Sequence, residues 1–298
     1  MTGVSRVKRR TLQAMRWVDS ILPRSVAVWT RNRCWPWRPV LDVVEVHLAD
    51  TCNLNCKGCL HFSPFSKPCL AKVEAVERDF AALKAKFAAV RHVHLLGGEP
   101  LLNSDVVGFL EMTRRVWPKT RLSLVTNGLL LLSQSAAFWT ACRETRTMID
   151  MTWYPVMTEK TLADIREKCR AERVVLRVST IREFMDKIRL NGHEDAARSF
   201  KACQKMVYCP YLREGRLYPC ATSYHLRDRL PDAPRESGID IRTSTAREIL
   251  TYLATPVNAC RYCAEKPTEM KWEKGFGGLE VWRFRGLEVW RWSGNIDD

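Results

Sequence analysis

The sequence lacks an apolar run that is both long and uninterrupted enough to span a membrane, and no secretory signal is recognisable. Basic residues dominate the N-terminus, but no continuous apolar segment follows them. One stretch, residues 122–142, is free of charge over the length of a membrane helix. However, the turn-forming triplet Thr126-Asn127-Gly128 interrupts it. We therefore expect a cytoplasmic protein without a membrane span.

Cysteine is too sparse for a disulfide scaffold. The chain has 12 cysteines in 298 residues, whereas disulfide-stapled domains are shorter and contain more than about 8–10% cysteine. Most of these cysteines cluster at spacings typical of metal sites, which indicates a reducing compartment and metal chemistry. Four others are predicted to be structural: Cys34, Cys69, Cys142 and Cys169.

Acidic residues are outnumbered, and the net charge is +15. Residues 1–40, here called the basic extension, hold nine arginines and lysines against Asp19 alone. Such a segment attracts nucleic acid, acidic glycans or an anionic membrane surface. A solvated extension without a partner is the simpler interpretation.

After the basic extension, strand-like and helix-like segments alternate. The predicted strands are 43–48, 92–96, 121–126, 147–152 and 173–179. The predicted helices are 74–90, 104–116 (capped by Ser104) and 159–169. This alternation favours an α/β fold with a parallel sheet, whose sites lie at the carboxyl ends of the strands. The pattern weakens after about residue 195.

Three cysteines, Cys52, Cys56 and Cys59, follow the first predicted strand in the spacing C-x3-C-x2-C. Structural zinc and simple iron–sulfur clusters take four protein ligands. Three thiolates on a four-iron cube would leave one iron open for a substrate or cosubstrate, as in catalytic metal sites. A zinc site completed by His61 is the alternative.

Two further motifs follow the next two strands. Gly97-Gly98-Glu99-Pro100 combines glycines that let a ligand approach the backbone with a carboxylate that can accept from an ammonium group. Thr126 and Asn127 end the third strand, where the simpler interpretation is an Asn-Gly turn. All three motifs are expected on one rim of the sheet.

The cysteine spacing followed by "LGGEP" resembles the radical S-adenosylmethionine (SAM) superfamily over residues 41–195. The resemblance implies a partial (β/α)6 TIM-like barrel and a reductant such as flavodoxin or ferredoxin. It also implies a 4Fe–4S cluster on the three cysteines and a 5′-deoxyadenosyl radical that abstracts a substrate hydrogen. The implied SAM-binding residues are Gly97, Gly98, Glu99, Thr126 and Asn127.

A second set of five cysteines, here called the late cysteines, comprises Cys203, Cys209, Cys220, Cys260 and Cys263. Residues 212–220 are predicted to form a hairpin that turns at Glu214-Gly215 and ends at Cys220. This arrangement resembles the SPASM or twitch extension of radical SAM enzymes. The resemblance implies a smaller α+β domain over residues 196–298 with one auxiliary 4Fe–4S cluster on four of the five thiols. A structural zinc site is the alternative.

A narrower resemblance, carried by "CNLNCKGCLHFSP", "TWYP" and "CRYC", is to bacterial radical SAM proteins associated with surface-polysaccharide genes. It implies oxidation or epimerisation of a sugar or glycan precursor, with a peptide substrate as the alternative. An RNA-modifying enzyme and a redox-sensing nucleic-acid-binding protein are weaker hypotheses, so nucleic acid is not the expected partner. His47, His92 and His94 are expected to be core or rim residues rather than ligands. The repeated "GLEVWR" at 278–283 and 286–291 has no assigned role.

Overall fold

Five parallel strands follow one another in a single sheet, as the alternating pattern predicts. The computed structural model describes residues 26, 39–180, 183–206, 208–230, 233–274, 279–284 and 287–292. Its strands are β1 Val40–Ala49, β2 Ala89–Gly97, β3 Arg121–Thr126, β4 Met148–Trp153, β5 Val175–Thr180, β6 Glu183–Ile188, β7 Tyr211–Arg213, β8 Arg216–Tyr218, β9 Ile239–Asp240, β10 Cys263–Lys271, β11 Leu279–Phe284 and β12 Leu287–Trp292. The main sheet has the order β5-β4-β3-β2-β1-β7-β8-β9. The α/β fold class is therefore confirmed.

Four helices connect the five consecutive parallel strands: α1 Val73–Lys86, α2 Val106–Val116, α3 Ala136–Glu144 and α4 Glu159–Ala171. Three more follow in the late segment, α5 Ala196–Met206, α6 Ala221–Arg229 and α7 Ala246–Leu253, and short 3-10 helices lie at Pro100–Leu102 and Asn258–Tyr262. The apolar faces of α1 and α4 are buried through residues at helical spacing, such as Phe80 and Leu83 in α1 and Cys169 in α4.

Two predicted helix boundaries were wrong. The first helix was expected to reach Val90, but it ends at Lys86 because the chain from Ala89 pairs with β1. Ser104 was expected to cap the second helix. The capping position is instead Asp105, which makes no side-chain capping bond, and the Ser104 hydroxyl donates to the Asp105 carboxylate.

Part of the late segment extends the same sheet as the first five strands. Strand β7 pairs in parallel with β1 through Tyr211 and Glu45, and β8 and β9 continue the sheet in antiparallel pairing. The predicted hairpin is present, with Glu214 and Gly215 at positive φ in its turn. Cys220 does not end the second strand, because it lies beyond Tyr218 at the start of α6. The domain boundary at residue 195 stays a prediction.

Two small ribbons complete the described structure. Strand β6 pairs antiparallel with β10, and the "GLEVWR" copies pair with each other as β11 and β12. No helix among the described residues is long and apolar enough to cross a membrane. The basic extension, apart from residue 26 and residues 39 and 40, lies outside the described residues, as does Cys34.

Candidate functional site: two cysteine-lined cavities

The cysteine loop, residues 52–59, begins three residues after β1 and brings its three thiols to one cavity of about 400 Å³. Cys52 and Cys56 are buried, and Cys59 is half-buried. The Leu54 backbone N–H donates to Cys52 Sγ at 3.3 Å. Burial raises the pKa of all three thiols, that of Cys56 to about 12. A metal cluster bound here would therefore displace thiol protons.

Gly97 and Gly98 are required by a close approach between the ends of β1 and β2. A Cβ atom on Gly97 would lie 2.1 Å from the carbonyl oxygen of Ala49, and one on Gly98 would lie 2.2 Å from that of Thr51. The Gly98 N–H donates to Ala49 O at 2.8 Å. Both glycines line the cavity. Their absent side chains therefore allow strand packing and leave the backbone open to a ligand.

The Glu99 side chain joins the ends of β2 and β3. One carboxylate oxygen accepts from the Thr126 hydroxyl at 2.6 Å, and the other accepts from the Asn127 backbone N–H at 2.9 Å. Glu99 is fully buried. Burial raises its pKa to about 7, although these hydrogen bonds lower it. Glu99 thus fixes the rim on which Thr126 and Asn127 face the cavity.

Asn127 also contacts the cysteine loop directly. Its side-chain Nδ2 donates to Asn53 Oδ1 at 2.7 Å and lies 3.6 Å from Cys52 Sγ. The structure thus brings together the cysteine loop, the GGEP turn and the Thr126-Asn127 turn, as expected. The three thiols, the open glycine backbone and the cavity suit a cysteine-ligated cluster with a ligand beside it.

An aromatic group that sequence reasoning did not assign to the site covers the cysteine loop. Tyr154, Phe184 and Trp272 pack against Cys52, Leu54 and Cys56. The Trp272 indole Nε1 donates to Cys56 Sγ at 3.2 Å. No local signal could have revealed this contact, because 216 positions separate the two residues.

The late cysteines line a second cavity of about 170 Å³. All five are half-buried, and burial raises the pKa of Cys260 and Cys263 to about 12. Leu60 and His61 line both cavities, so the two sites are neighbours. The structure thus brings the five thiols to one cavity, and their role as cluster ligands stays a prediction.

A half-buried lysine, which the sequence did not reveal, accompanies the late cysteines. Lys187 Nζ donates to Cys203 Sγ at 2.9 Å. Burial by itself would lower the pKa of Lys187, but the sulfur of Cys203 raises it above the ordinary value. Lys187 is therefore a cation held within a cavity of thiols. Nothing in its sequence neighbourhood distinguishes it from a solvent-exposed lysine.

A buried polar network links the end of β1 to the late segment. Asp50 accepts two bonds from Arg213, at 3.1 and 3.0 Å, and lies 3.2 Å from His47 Nδ1. The other ring nitrogen of His47 lies 2.8 Å from His61 Nδ1. His225 Nε2 lies 3.7 Å from Asp50. The expectation that His47 is a core residue agrees with its 2% exposure.

Two members of this network, Asp50 and His47, have strongly shifted pKa values. Burial by itself would raise the pKa of Asp50, but the hydrogen bond with His47 and the charge of Arg213 lower it to about 2. Burial lowers the pKa of His47 to about 3. The histidine and aspartate ligand atoms lie within 4.8 Å of one another, as in a metal site. Because both oxygens of Asp50 already accept from Arg213, we interpret the network as an ion pair beside a neutral His47.

The parallel sheet with cysteines at its carboxyl rim is the arrangement of an α/β protein whose site binds a metal cluster. The family model described as the radical SAM superfamily matches residues 46–205, more than half of the chain. The chain belongs to the radical SAM superfamily, whose members use a 4Fe–4S cluster and SAM.

Curated relatives match only part of this chain. A GTP 3′,8-cyclase of Rhodopirellula baltica is 28% identical over 156 residues, covering 51% of this chain and 42% of the relative. A GTP 3′,8-cyclase of Limosilactobacillus fermentum is 34% identical over 103 residues, covering 32% of this chain and 29% of the relative. The chain thus spans less than half the length of these relatives.

One solved structure shares the fold over most of this chain. It is described as native anSMEcpe with bound AdoMet, and it has a TM-score of 0.51 at 13% identity. The match covers 76% of this chain and 90% of that chain. This similarity supports the fold alone. The SPASM or twitch assignment of the late cysteines stays a prediction.

Proposed function

We propose that this chain is a radical SAM enzyme whose catalytic 4Fe–4S cluster is held by Cys52, Cys56 and Cys59. The observation that carries the proposal is the convergence of three thiols, Gly98 and the Thr126-Asn127 turn on one cavity. When bound and reduced, the cluster supplies the electron that cleaves SAM to the radical that abstracts a hydrogen atom from the substrate. The electron would come from a flavodoxin or a ferredoxin.

In this proposal, SAM lies against the rim formed by the ends of β2 and β3. The backbone at Gly97 and Gly98 leaves room for its amino-acid part, and the polar side chains of Thr126 and Asn127 face it. Glu99 holds that rim together through its bonds to Thr126 and Asn127, and an ammonium group bound nearby would favour the charge of its buried carboxylate. Tyr154 and Phe184, on the other cavity wall, would exclude water from the reacting atoms.

We propose that four of the five late cysteines hold one auxiliary 4Fe–4S cluster. Support comes from their shared cavity and from the wall, formed by Leu60 and His61, that this cavity shares with the catalytic one. A redox centre so close to the catalytic site suits reactions in which a substrate radical passes on an electron. Such a centre also suits an epimerisation, in which it would help to return a hydrogen atom to the substrate radical.

The substrate we propose is a sugar or glycan precursor that is oxidised or epimerised at a C–H bond. Thr152, Tyr154 and Glu183, which carry two hydroxyl groups and a carboxylate, line the catalytic cavity. Such a wall suits hydrogen bonding to a hydroxyl-rich molecule. A peptide substrate is the alternative from the resemblance to SPASM and twitch proteins.

A second candidate function is cyclisation of a guanosine nucleotide. The partial matches to proteins named GTP 3′,8-cyclase favour it. The carboxylate of Glu183 in the cavity wall weighs against it, because a triphosphate placed nearby would be repelled.

The proposal is tested by analysing protein reconstituted without oxygen. About eight irons per chain and formation of 5′-deoxyadenosine from SAM under dithionite are expected. Nucleotide-linked sugars, precursor peptides and GTP are then compared for stimulated 5′-deoxyadenosine formation. Stimulation by GTP alone would replace the sugar proposal with the cyclase. Absence of both iron and SAM cleavage would contradict the proposal that this chain is a radical SAM enzyme.

A further inference from the structure

Trp272 places a hydrogen-bond donor on one of the three catalytic cysteines. Its indole Nε1 lies 3.2 Å from Cys56 Sγ. The ring packs beside Tyr154, at 5.6 Å between ring centroids, and against the cysteine loop. Trp272 follows β10 directly, so it comes from a part of the chain far from the radical SAM motifs.

The two residues that follow Trp272 are fastened to the cysteine loop through the backbone, and Met270, two residues before it, contacts the loop through its side chain. The Lys57 N–H donates to Glu273 O at 3.2 Å, and Cys56 and Lys274 form an antiparallel bridge. The Met270 sulfur closes over Gly58, where a Cβ atom would lie 3.1 Å from it. The indole therefore has little freedom to leave Cys56, and the contact is a built feature of the loop.

A hydrogen bond to a cysteine sulfur changes the reduction potential of an iron–sulfur cluster. Reduction adds one negative charge, which spreads onto the ligating sulfurs, so a donor N–H stabilises the reduced form more than the oxidised form. The electron comes from an external reductant, and no covalent bond forms or breaks in this step. Removing the donor should therefore make reduction less favourable.

We propose that Trp272 is a positioning residue that raises the reduction potential of the catalytic cluster through Cys56. The proposal rests on the proposed function, because it requires the cluster on Cys52, Cys56 and Cys59. It predicts that the indole N–H, rather than the bulk of the ring, is what the reaction needs.

The test is a redox titration of reconstituted Trp272→Phe protein, followed by electron paramagnetic resonance. The catalytic cluster is the signal that changes when SAM is added. Trp153→Phe is the matched control, because the Trp153 indole donates to the Met157 carbonyl instead of a cysteine. Iron content and the thermal unfolding midpoint are measured on the same samples.

We expect Trp272→Phe to retain its iron and to titrate at a more negative potential than wild type, with Trp153→Phe unchanged. SAM cleavage by the variant should slow under a weak reductant and recover under a stronger one. An unchanged potential with full iron content would overturn the proposal, as would an equal shift in Trp153→Phe. Loss of iron from Trp272→Phe alone would also overturn it, because the indole would then anchor the ligand. A wild-type protein without the SAM-sensitive signal would instead overturn the proposed function.

Discussion

The two cysteine sites are built in different ways. Cys52, Cys56 and Cys59 lie on one loop after β1. The late cysteines come from helices, from the loop before β7 and from the start of β10, which meet only in the folded chain. The thiols of the first site lie close together in sequence, and residues at the carboxyl ends of β2 and β3 complete the site. The second exists only through tertiary structure. We therefore expect cluster binding at the second site to depend more strongly on folding.

The two sites are also joined. Strand β10 begins at Cys263 and leads into Trp272, which donates to Cys56. The ion pair between Asp50 and Arg213 links the end of β1 to the hairpin that precedes Cys220. A substitution at one site can therefore alter the structure of the other, through β10 and through the ion pair between Asp50 and Arg213.

The largest effect should follow removal of the catalytic thiols. Replacing Cys52, Cys56 and Cys59 by alanine should abolish 5′-deoxyadenosine formation, because no cluster remains to reduce SAM. Iron content should fall by about four atoms per chain. Both are measured on reconstituted protein by product chromatography and iron assay.

Cys169→Ala is the matched control, since this thiol is buried on α4 at 2% exposure, away from both cavities. It should keep its iron and its SAM cleavage. SAM cleavage that survives in the triple variant would contradict the assignment of the first site.

The next effect separates the two sites. Replacing Cys260 and Cys263 by alanine should remove about four irons while leaving the SAM-sensitive paramagnetic signal. SAM cleavage without substrate should persist, whereas conversion of the substrate should be lost. The same iron assay and product analysis measure both.

Unchanged iron content in the Cys260/Cys263 variant, with zinc present in wild type, would show that the late cysteines form a structural zinc site. Loss of both clusters together would show that the second site is needed to fold the first.

The sequence predicted the local parts of this molecule well. Apolar periodicity located the five parallel strands, and the spacing of Cys52, Cys56 and Cys59 located the cysteine loop of the first site, because both patterns lie within a few residues. The contacts of Trp272 and Lys187 could not be predicted, since they depend on how β6 and β10 pair. Glu99 was expected only to contact SAM, and its bonds to Thr126 and Asn127 emerged once β2 and β3 were adjacent.

A third prediction tests the charge pair that joins the sites. Asp50→Asn removes the buried acidic partner of Arg213 and leaves it only the exposed Glu214 carboxylate, which should cost about 3–5 kcal/mol in free energy of unfolding. The pKa of Asp50 is lowered to about 2, so this contribution is present above about pH 4 and is lost as the pH falls towards 2. Urea unfolding followed by tryptophan fluorescence measures it.

The control is Asp164→Asn, which breaks an exposed pair with Lys160 and should cost less than about 0.5 kcal/mol. Equal costs for the two variants would show that the buried pair contributes no more than a surface one.

The smallest effect concerns Glu99, on the rim of the first site only. Burial raises its pKa to about 7, above the ordinary value, so the folded state binds this proton more tightly than the unfolded chain. The stability it contributes is therefore complete below about pH 4 and is lost as the pH rises through 7. A shift of this size corresponds to roughly 3 kcal/mol.

Glu99→Gln cannot titrate, so the stability of wild type relative to this variant should decline between pH 5 and 8 and then level off. Urea unfolding across that range measures the decline. SAM should reduce the decline in wild type, because its ammonium favours the ionised carboxylate. A flat difference would mean that Glu99 is ionised throughout. The hydrogen bonds from Thr126 and Asn127 would then outweigh the effect of burial on the pKa of Glu99. The rim of the first site would carry a negative charge even without SAM, whereas the charge at the second site is the positive one of Lys187.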